Sequence, residues 1–185
     1  MEIKIIIAGS GGQGILFLGR LICQAAMIEG KHVTWFPSYG AEMRGGTANC
    51  TVVISDDFIG SPVVQNPDVM IILNQASLNR FLNRIREKGS LFYDSSLIPG
   101  VVERDTVSLV PIPSSRIAGE IGNPRLSNMV LLGAFVKLSR IVSEEDITRA
   151  VSIVVPAQKS SLIEKNILAI NKGADFAAHQ KSCCG

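Results

Sequence analysis

Apolar residues recur along the chain with two periods, and the places where one period gives way to the other mark its elements. Glu2 to Ala8 is dense in isoleucine and predicts a strand, Gly9 to Gly14 a loop. Beyond the loop, Ile15, Leu18, Leu21, Ile22, Ala25 and Ile28 predict a helix running to Glu29, with Gly30 as its stop. These positions cover more than one narrow stripe, which suits a helix held between a sheet and a further layer. Lys31 to Phe36 predicts a second strand, closed by Pro37-Ser38. After Gly45-Gly46 the period becomes two: Ala48, Cys50, Val52 and Ile54 alternate with Asn49, Thr51 and Val53, the signature of a β-hairpin insertion. Val69 to Leu73 is a continuous apolar strand, followed at helical spacing by Leu78, Phe81, Leu82 and Ile85, with Gly89 ending the unit. Ser90 to Asp94 and Thr106 to Val110 supply two more strands. Helices are expected over Ser114 to Ile121, over Pro124 to Ser139, in a short segment capped by Ser143, and over Lys159 to Lys172 with Ile163, Ile167 and Ile170 inward.

Strands alternating with helices predict an α/β fold: a single-domain, mostly parallel sheet flanked by helices, with a β-hairpin insertion and a helical C-terminal part. No repeat, low-complexity segment or long linker divides the chain, so the expected domain is 1–174. The polar stretch from Gly173 to Gly185 is expected to end in a tail, 175–185, carrying Cys183-Cys184.

A chain of 185 residues is long enough for one well-filled core. Its 46% apolar and 18% charged residues imply more apolar surface than a monomer hides, hence a partner subunit. The formal charge of +2 is spread without a Lys/Arg block, which argues against nucleic acid or an anionic membrane as partner. The apolar runs fall far short of the ~20 residues that span a bilayer, and the N-terminus leads straight into a strand; a cytoplasmic location is expected. Cys23, Cys50, Cys183 and Cys184 show no metal-ligand spacing, and Cys23 and Cys50 fall at positions for small buried hydrophobes.

The loop Gly9-Ser10-Gly11-Gly12-Gln13-Gly14 has the G-x-G-x-x-G spacing between a strand and a helix. There, glycines let the backbone approach a diphosphate, and unpaired amides with the helix dipole face the anion. A dinucleotide site also wants an acidic residue on the ribose about 20 residues on, at the end of the second strand, and that strand ends Trp35-Phe36-Pro37-Ser38. Three uses stay open: tight strand-to-helix packing, a phosphate-bearing ligand, or a dinucleotide. A second motif, Glu42-Met43-Arg44-Gly45-Gly46-Thr47, holds either solvated hairpin charges or, with Arg44, a grip on phosphate or a partner carboxylate. His32 and His179 are far apart in sequence, and Asp94-Ser95-Ser96 is as well explained by a turn or helix cap as by catalysis. No residue is expected to be catalytic or to bind metal.

In order along the chain, "AGSGGQGILFLGRLI", "PSYGAEMRGGTANCTVVIS", "GSPVVQNPDVMIILNQASLNRF" and "NMVLLGAF" resemble the γ subunit of the 2-oxoacid:ferredoxin oxidoreductases, up to about Ala174. The form of the second segment is most similar to the 2-oxoglutarate enzymes, with branched-chain and pyruvate relatives near. The resemblance implies α and β partners, and a δ ferredoxin-like subunit in some relatives. It also implies thiamine diphosphate, Mg²⁺ and iron–sulfur clusters held by those partners, ferredoxin as electron acceptor, and coenzyme A as acyl acceptor. Coenzyme A too carries a diphosphate but attaches to ribose by other contacts, so the resemblance assigns Gly9, Ser10, Gly11, Gly12, Gln13 and Gly14, with Arg44 nearby, to a phosphate of coenzyme A or to its approach. A stand-alone nucleotide-binding dehydrogenase and a purely structural assembly module are the other two classes.

Overall fold

Strand β1 (Glu2–Ser10) belongs at the centre of a sheet because both of its faces are apolar: Ile5 and Ile7 enter one hydrophobic cluster, Ile6 and Ala8 another, and all four are sealed from solvent. The structure is a computed structural model and describes residues 1–38, 47–100, 103–156, 158 and 160–182. Around β1 lie β2 (His32–Ser38), β3 (Thr47–Ser55), β4 (Val69–Ile72), β5 (Ser90–Asp94) and β6 (Ser108–Ile112), in the sheet order β2-β3-β1-β4-β5-β6. β1, β4, β5 and β6 pair in parallel, whereas β3 runs antiparallel to both β1 and β2. The expected hairpin is present, and its return strand occupies the place beside β1. β2 is therefore displaced one strand outward, by ~5 Å.

The two faces of the sheet are covered unequally. Five helices pack on one face: α1 (Ile15–Ile28), then, after α2 (Gln75–Phe81) on the opposite face, α3 (Ser114–Glu120), α4 (Ser127–Ser139), α5 (Glu144–Val154) and α6 (Ser160–Ser182). The opposite face has α2, a single 3-10 turn Leu82–Arg84 and loops. α1 starts where the glycine loop ends and stops at Gly30, which adopts φ 77° as the Lys31 N–H turns back to the Ala26 carbonyl. Ser143 caps α5 through its hydroxyl, which accepts from the Asp146 N–H at 3.0 Å.

α4 is buried on every side from Ser127 to Val136, between the sheet and α6. Its contact with α6 is backbone on backbone. A Cβ on Gly133 would fall well inside the radius of the Ile170 carbonyl oxygen, and one on Gly173 would do the same to the Val130 carbonyl. This reciprocal glycine pair corrects the expected C-terminus. The helix does not stop at Lys172 but continues to Ser182, and Ala174 and Ala177 are buried against the core. Polarity on the outer face of α6 made the segment look like a tail, while its inner face is built of small residues with little hydrophobic signal. Cys183 and Cys184 lie outside the described residues. Among the described residues no helix is long and apolar enough to cross a membrane.

Cys23 on α1 and Cys50 on β3 are buried free thiols. Burial pushes each up to about 12 from the ordinary 9.0; the neighbouring Cys50 adds to the rise at Cys23, and the Trp35 indole N–H opposes it at Cys50. A raised folded pKa favours the protonated fold, so this contribution is complete below about pH 9 and is lost as pH climbs toward 12. At about pH 8 native protein should leave Cys23 and Cys50 unalkylated by iodoacetamide, and urea should expose both, as peptide mass mapping would show. Gly133→Ala or Gly173→Ala should each lower the unfolding free energy by about 3 kcal/mol or more, measured by urea denaturation.

Candidate functional site

The chain leaves β1 into α1 on one face of the sheet and leaves β4 into α2 on the other, so a crevice opens between the carboxyl ends of β1 and β4. Open α/β sheets bind ligands at such a switch point. Four of the residues predicted from the glycine motif, Ser10, Gly11, Gly12 and Gln13, stand at its mouth, and Gly9 lies just inside β1.

The loop is held by its own side chains. Gln13 folds back so that its Oε1 accepts from the Ser10 N–H at 2.6 Å while its Nε2 donates to the Leu73 carbonyl at 3.3 Å. The Gln13 N–H returns to the Ser10 carbonyl at 3.2 Å. Across the crevice Asn74 donates from Nδ2 to the Ser10 hydroxyl at 2.5 Å, and its Oδ1 caps α2 by accepting from the Ser77 N–H at 2.8 Å. On the other side the Asn128 carboxamide, at the start of α4, donates to the Gly14 carbonyl at 3.2 Å. Gly14 itself has φ 70°, and a Cβ there would collide with that carboxamide. A Cβ on Gly9 would stand 2.7 Å from the Gln13 Oε1 and Ile15 Cδ1.

Gly11 and Gly12 behave differently. Both are exposed, and a Cβ on either meets nothing, although Gly12 takes φ 89°. Packing accounts for Gly9 and Gly14 and gives no reason for Gly11. Just beyond, α1 begins without a capping side chain and without an acidic residue in its first turn, so the positive end of a 14-residue helix faces the loop uncompensated. This is an arrangement for an anion beside bare backbone.

The site differs from a dinucleotide clamp in topology as well as in sequence. The end of β2, which would supply the ribose carboxylate, is separated from β1 by β3. Arg44, with the rest of Glu42 to Gly46, lies outside the described residues. Asp94-Ser95-Ser96 proves to be a turn and cap: Asp94 is buried and accepts from the N–H groups of Ser96 and Ser115 and from the Ser115 hydroxyl. His32 stacks near Phe58 on the far edge of the sheet, and His179 turns back to the Asp175 carbonyl of its own helix, so the two do not meet. No cluster of three or more potential metal-ligating side chains occurs among the described residues. Asn74 and Asn128 went unrecognised in the sequence. Asn74, just before a helix and three residues ahead of Ser77, carried a cap signal; Asn128, 114 residues from Gly14, carried none.

Residues 4–176 match the family model described as pyruvate ferredoxin/flavodoxin oxidoreductase. The chain is 38% identical over 176 residues to the ketoisovalerate oxidoreductase subunit VorA of Methanothermobacter marburgensis, covering 95% of this chain but only 37% of that one. It is 37% identical over 180 residues to the 2-oxoglutarate synthase subunit KorC of Methanocaldococcus jannaschii, covering 96% and 95%. The γ subunit of a keto/oxoacid ferredoxin oxidoreductase from Geobacter sulfurreducens superposes with a TM-score of 0.83 at 28% identity, over 96% of this chain and 99% of that one. The 2-oxoglutarate:ferredoxin oxidoreductase of Magnetococcus marinus, solved with 2-oxoglutarate, coenzyme A and succinyl-CoA bound, gives 0.87 at 27% identity, over 96% of this chain and 31% of that one. The resemblance to γ subunits is thereby borne out.

The two kinds of loop glycine should separate on substitution. Gly14→Ala should cost about 1–3 kcal/mol of stability, through strain and collision with Asn128. Gly11→Ala should leave thermal unfolding unchanged, so that any effect of it on ligand affinity belongs to the ligand.

Proposed function

The chain belongs to the pyruvate ferredoxin/flavodoxin oxidoreductase family, and on that footing we propose that it serves as the γ-type subunit of a 2-oxoacid:ferredoxin oxidoreductase acting on 2-oxoglutarate. The complex would convert the 2-oxoacid and coenzyme A to acyl-CoA and CO2, with electrons passed to ferredoxin. The observation that carries the reading is the end-to-end match to KorC, 96% of this chain against 95% of that one. Since VorA matches at a similar identity, the branched-chain 2-oxoacid enzyme is the second reading.

In this reading the chain is a non-catalytic subunit. α and β subunits hold thiamine diphosphate and Mg²⁺, the complex holds the iron–sulfur clusters, and the cytoplasm is the setting. The exposed apolar residues support neighbours: Phe58 is 90%, Val63 62% and Phe36 55% exposed, all on β2 or the 56–68 connection. The chain's own task is binding. Gly11, Gly12 and the uncapped first turn of α1 receive the diphosphate of coenzyme A, Gln13 and Ser10 fix the loop in the receiving shape, and Gly9 and Gly14 let the backbones close around it. Such a cradle supplies charge complementarity and orientation and takes no part in bond making.

Tagged purification from the native cell should bring down the thiamine- and cluster-bearing chains. The complex should reduce a low-potential viologen with 2-oxoglutarate and coenzyme A at least about tenfold faster, by kcat/KM, than with pyruvate or 3-methyl-2-oxobutanoate. A preference for the branched acid would install the second reading. Hydride transfer by the isolated chain would overturn both.

A further inference from the structure

The sheet has an edge at β2 and an edge at β6, and the chain treats them differently. The carbonyls of Lys4 and Ala8 accept from the N–H groups of Asp68 and Leu73, so even-numbered residues of β1 turn their backbone groups to β4 and odd-numbered ones turn theirs to β3. The registers run without interruption, Ile7 against Cys50 and Thr51 against Phe36. Carried through them, the alternation points the backbone groups of His32, Thr34 and Phe36 at β3 and directs the N–H and C=O of Val33 and Trp35 outward. Among the described residues no strand pairs with that edge. At the opposite edge the Ser108 N–H donates to Gly89 and the Ile112 carbonyl accepts from Ser95, so Leu109 and Pro111 face outward. Pro111 has no N–H, and the Gln180 carboxamide donates to its carbonyl at 3.3 Å. Edge β6 is thereby blunted. Edge β2 is not: from His32 to Ser38 it carries no Asp, Glu, Lys or Arg, the usual guards of an open strand.

An uncharged, aromatic strand with outward amides is an edge built to be paired. We propose that β2 pairs antiparallel with β2 of a second copy of this chain, across a two-fold axis at Thr34, so that two six-stranded sheets become one. Because the edge at β6 is closed, the pairing is isologous and stops at two copies. In this register Val33 of one copy and Trp35 of the other exchange both backbone hydrogen bonds, and Pro37, which has no N–H to give, falls beyond them. The Thr34 side chains lie side by side at the axis. Each hydroxyl, without a partner among the described residues, gains one in its own copy. Phe36 comes opposite the other copy's His32, whose ring lies 5.5 Å from Phe58, so the exposed aromatics gather on either side of the axis. Phe36 and Phe58, at 55% and 90% exposure, present roughly 300 Å² of ring surface per copy. That is an apolar centre for an interface of ordinary size, about 800 Å² per partner. The pairing is independent of which 2-oxoacid the complex takes.

Cysteine cross-linking in the complex as purified tests this. In a background carrying Cys183→Ser and Cys184→Ser, Thr34→Cys should give a disulfide-linked dimer of this chain on oxidation with copper phenanthroline, read on a non-reducing gel. Ser108→Cys, on β6, should give none. Sedimentation equilibrium of the full chain should give a dimer. Phe36→Lys, which sets a cation beside the other copy's His32, should weaken that dimer about tenfold or more with the far-ultraviolet circular dichroism unchanged. A single copy of this chain per complex, no link through Thr34→Cys, or undiminished self-association of Phe36→Lys would overturn the proposal. So would a Phe36→Lys complex that stays paired but sheds the thiamine-bearing chains, because the edge would then belong to another subunit. Should Thr34→Cys fail to fold, the Phe36→Lys sedimentation decides.

Discussion

The close crossing of α4 and α6 at Gly133 and Gly173 is the constraint on which the site's geometry depends. Two helices in which each glycine sits directly against the other's carbonyl have almost no freedom to slide, because any residue larger than glycine would drive one off the other. That contact seats α4 against the sheet with Ser127 to Val136 buried on all sides. Its first turn then delivers Asn128 to the Gly14 carbonyl. From the other helix, the same crossing sets where Leu162 and Asn166 stand in the wall of a cavity that Asn128 also lines. A pair of glycines far from the loop in sequence thus positions one side of it, and the fold and the site are one packing problem.

The sheet order supplies the second constraint. In a doubly wound sheet the strand after the first helix lies beside β1 and brings its end to the ribose of a dinucleotide. Here β3 takes that place by pairing antiparallel along the whole of β1, from Glu2 against Ser55 to Ser10 against Thr47. The glycine loop keeps its exposed backbone and the uncapped start of α1 but lacks the neighbour that a nicotinamide site needs. The same insertion carries β2 outward, where α1 covers one of its faces while Phe36 on the other stands in solvent with Phe58 of the connection after β3, a state better suited to a subunit than to a solitary enzyme.

Much of this was legible because it is local. The isoleucine run of β1, the stop at Gly30, the cap at Ser143 and the two-residue period of β3 each follow from neighbouring side chains, and each was found where expected. Thr106 to Val110 slipped by two residues, to Ser108–Ile112, as boundaries of short strands do when no cap marks them. The last turns of α6 were hidden for a different reason. Gly173, Ala174 and Ala177 pack through close approach and small size, so they contribute little to any apolar pattern and were masked by Lys172, Asp175 and His179 on the outer side. Within the site, the glycines announced themselves by spacing, whereas Asn74 and Asn128 act across chain separations of 64 and 114 residues that no periodicity reports.

Gln13 has a consequence for timing. Because its carboxamide already ties the Ser10 amide to the Leu73 carbonyl, the turn needs no guest to hold its shape. In the role proposed for it, a turn preorganised by its own side chains spends little on ordering, so that occupancy would follow the supply of the visiting molecule.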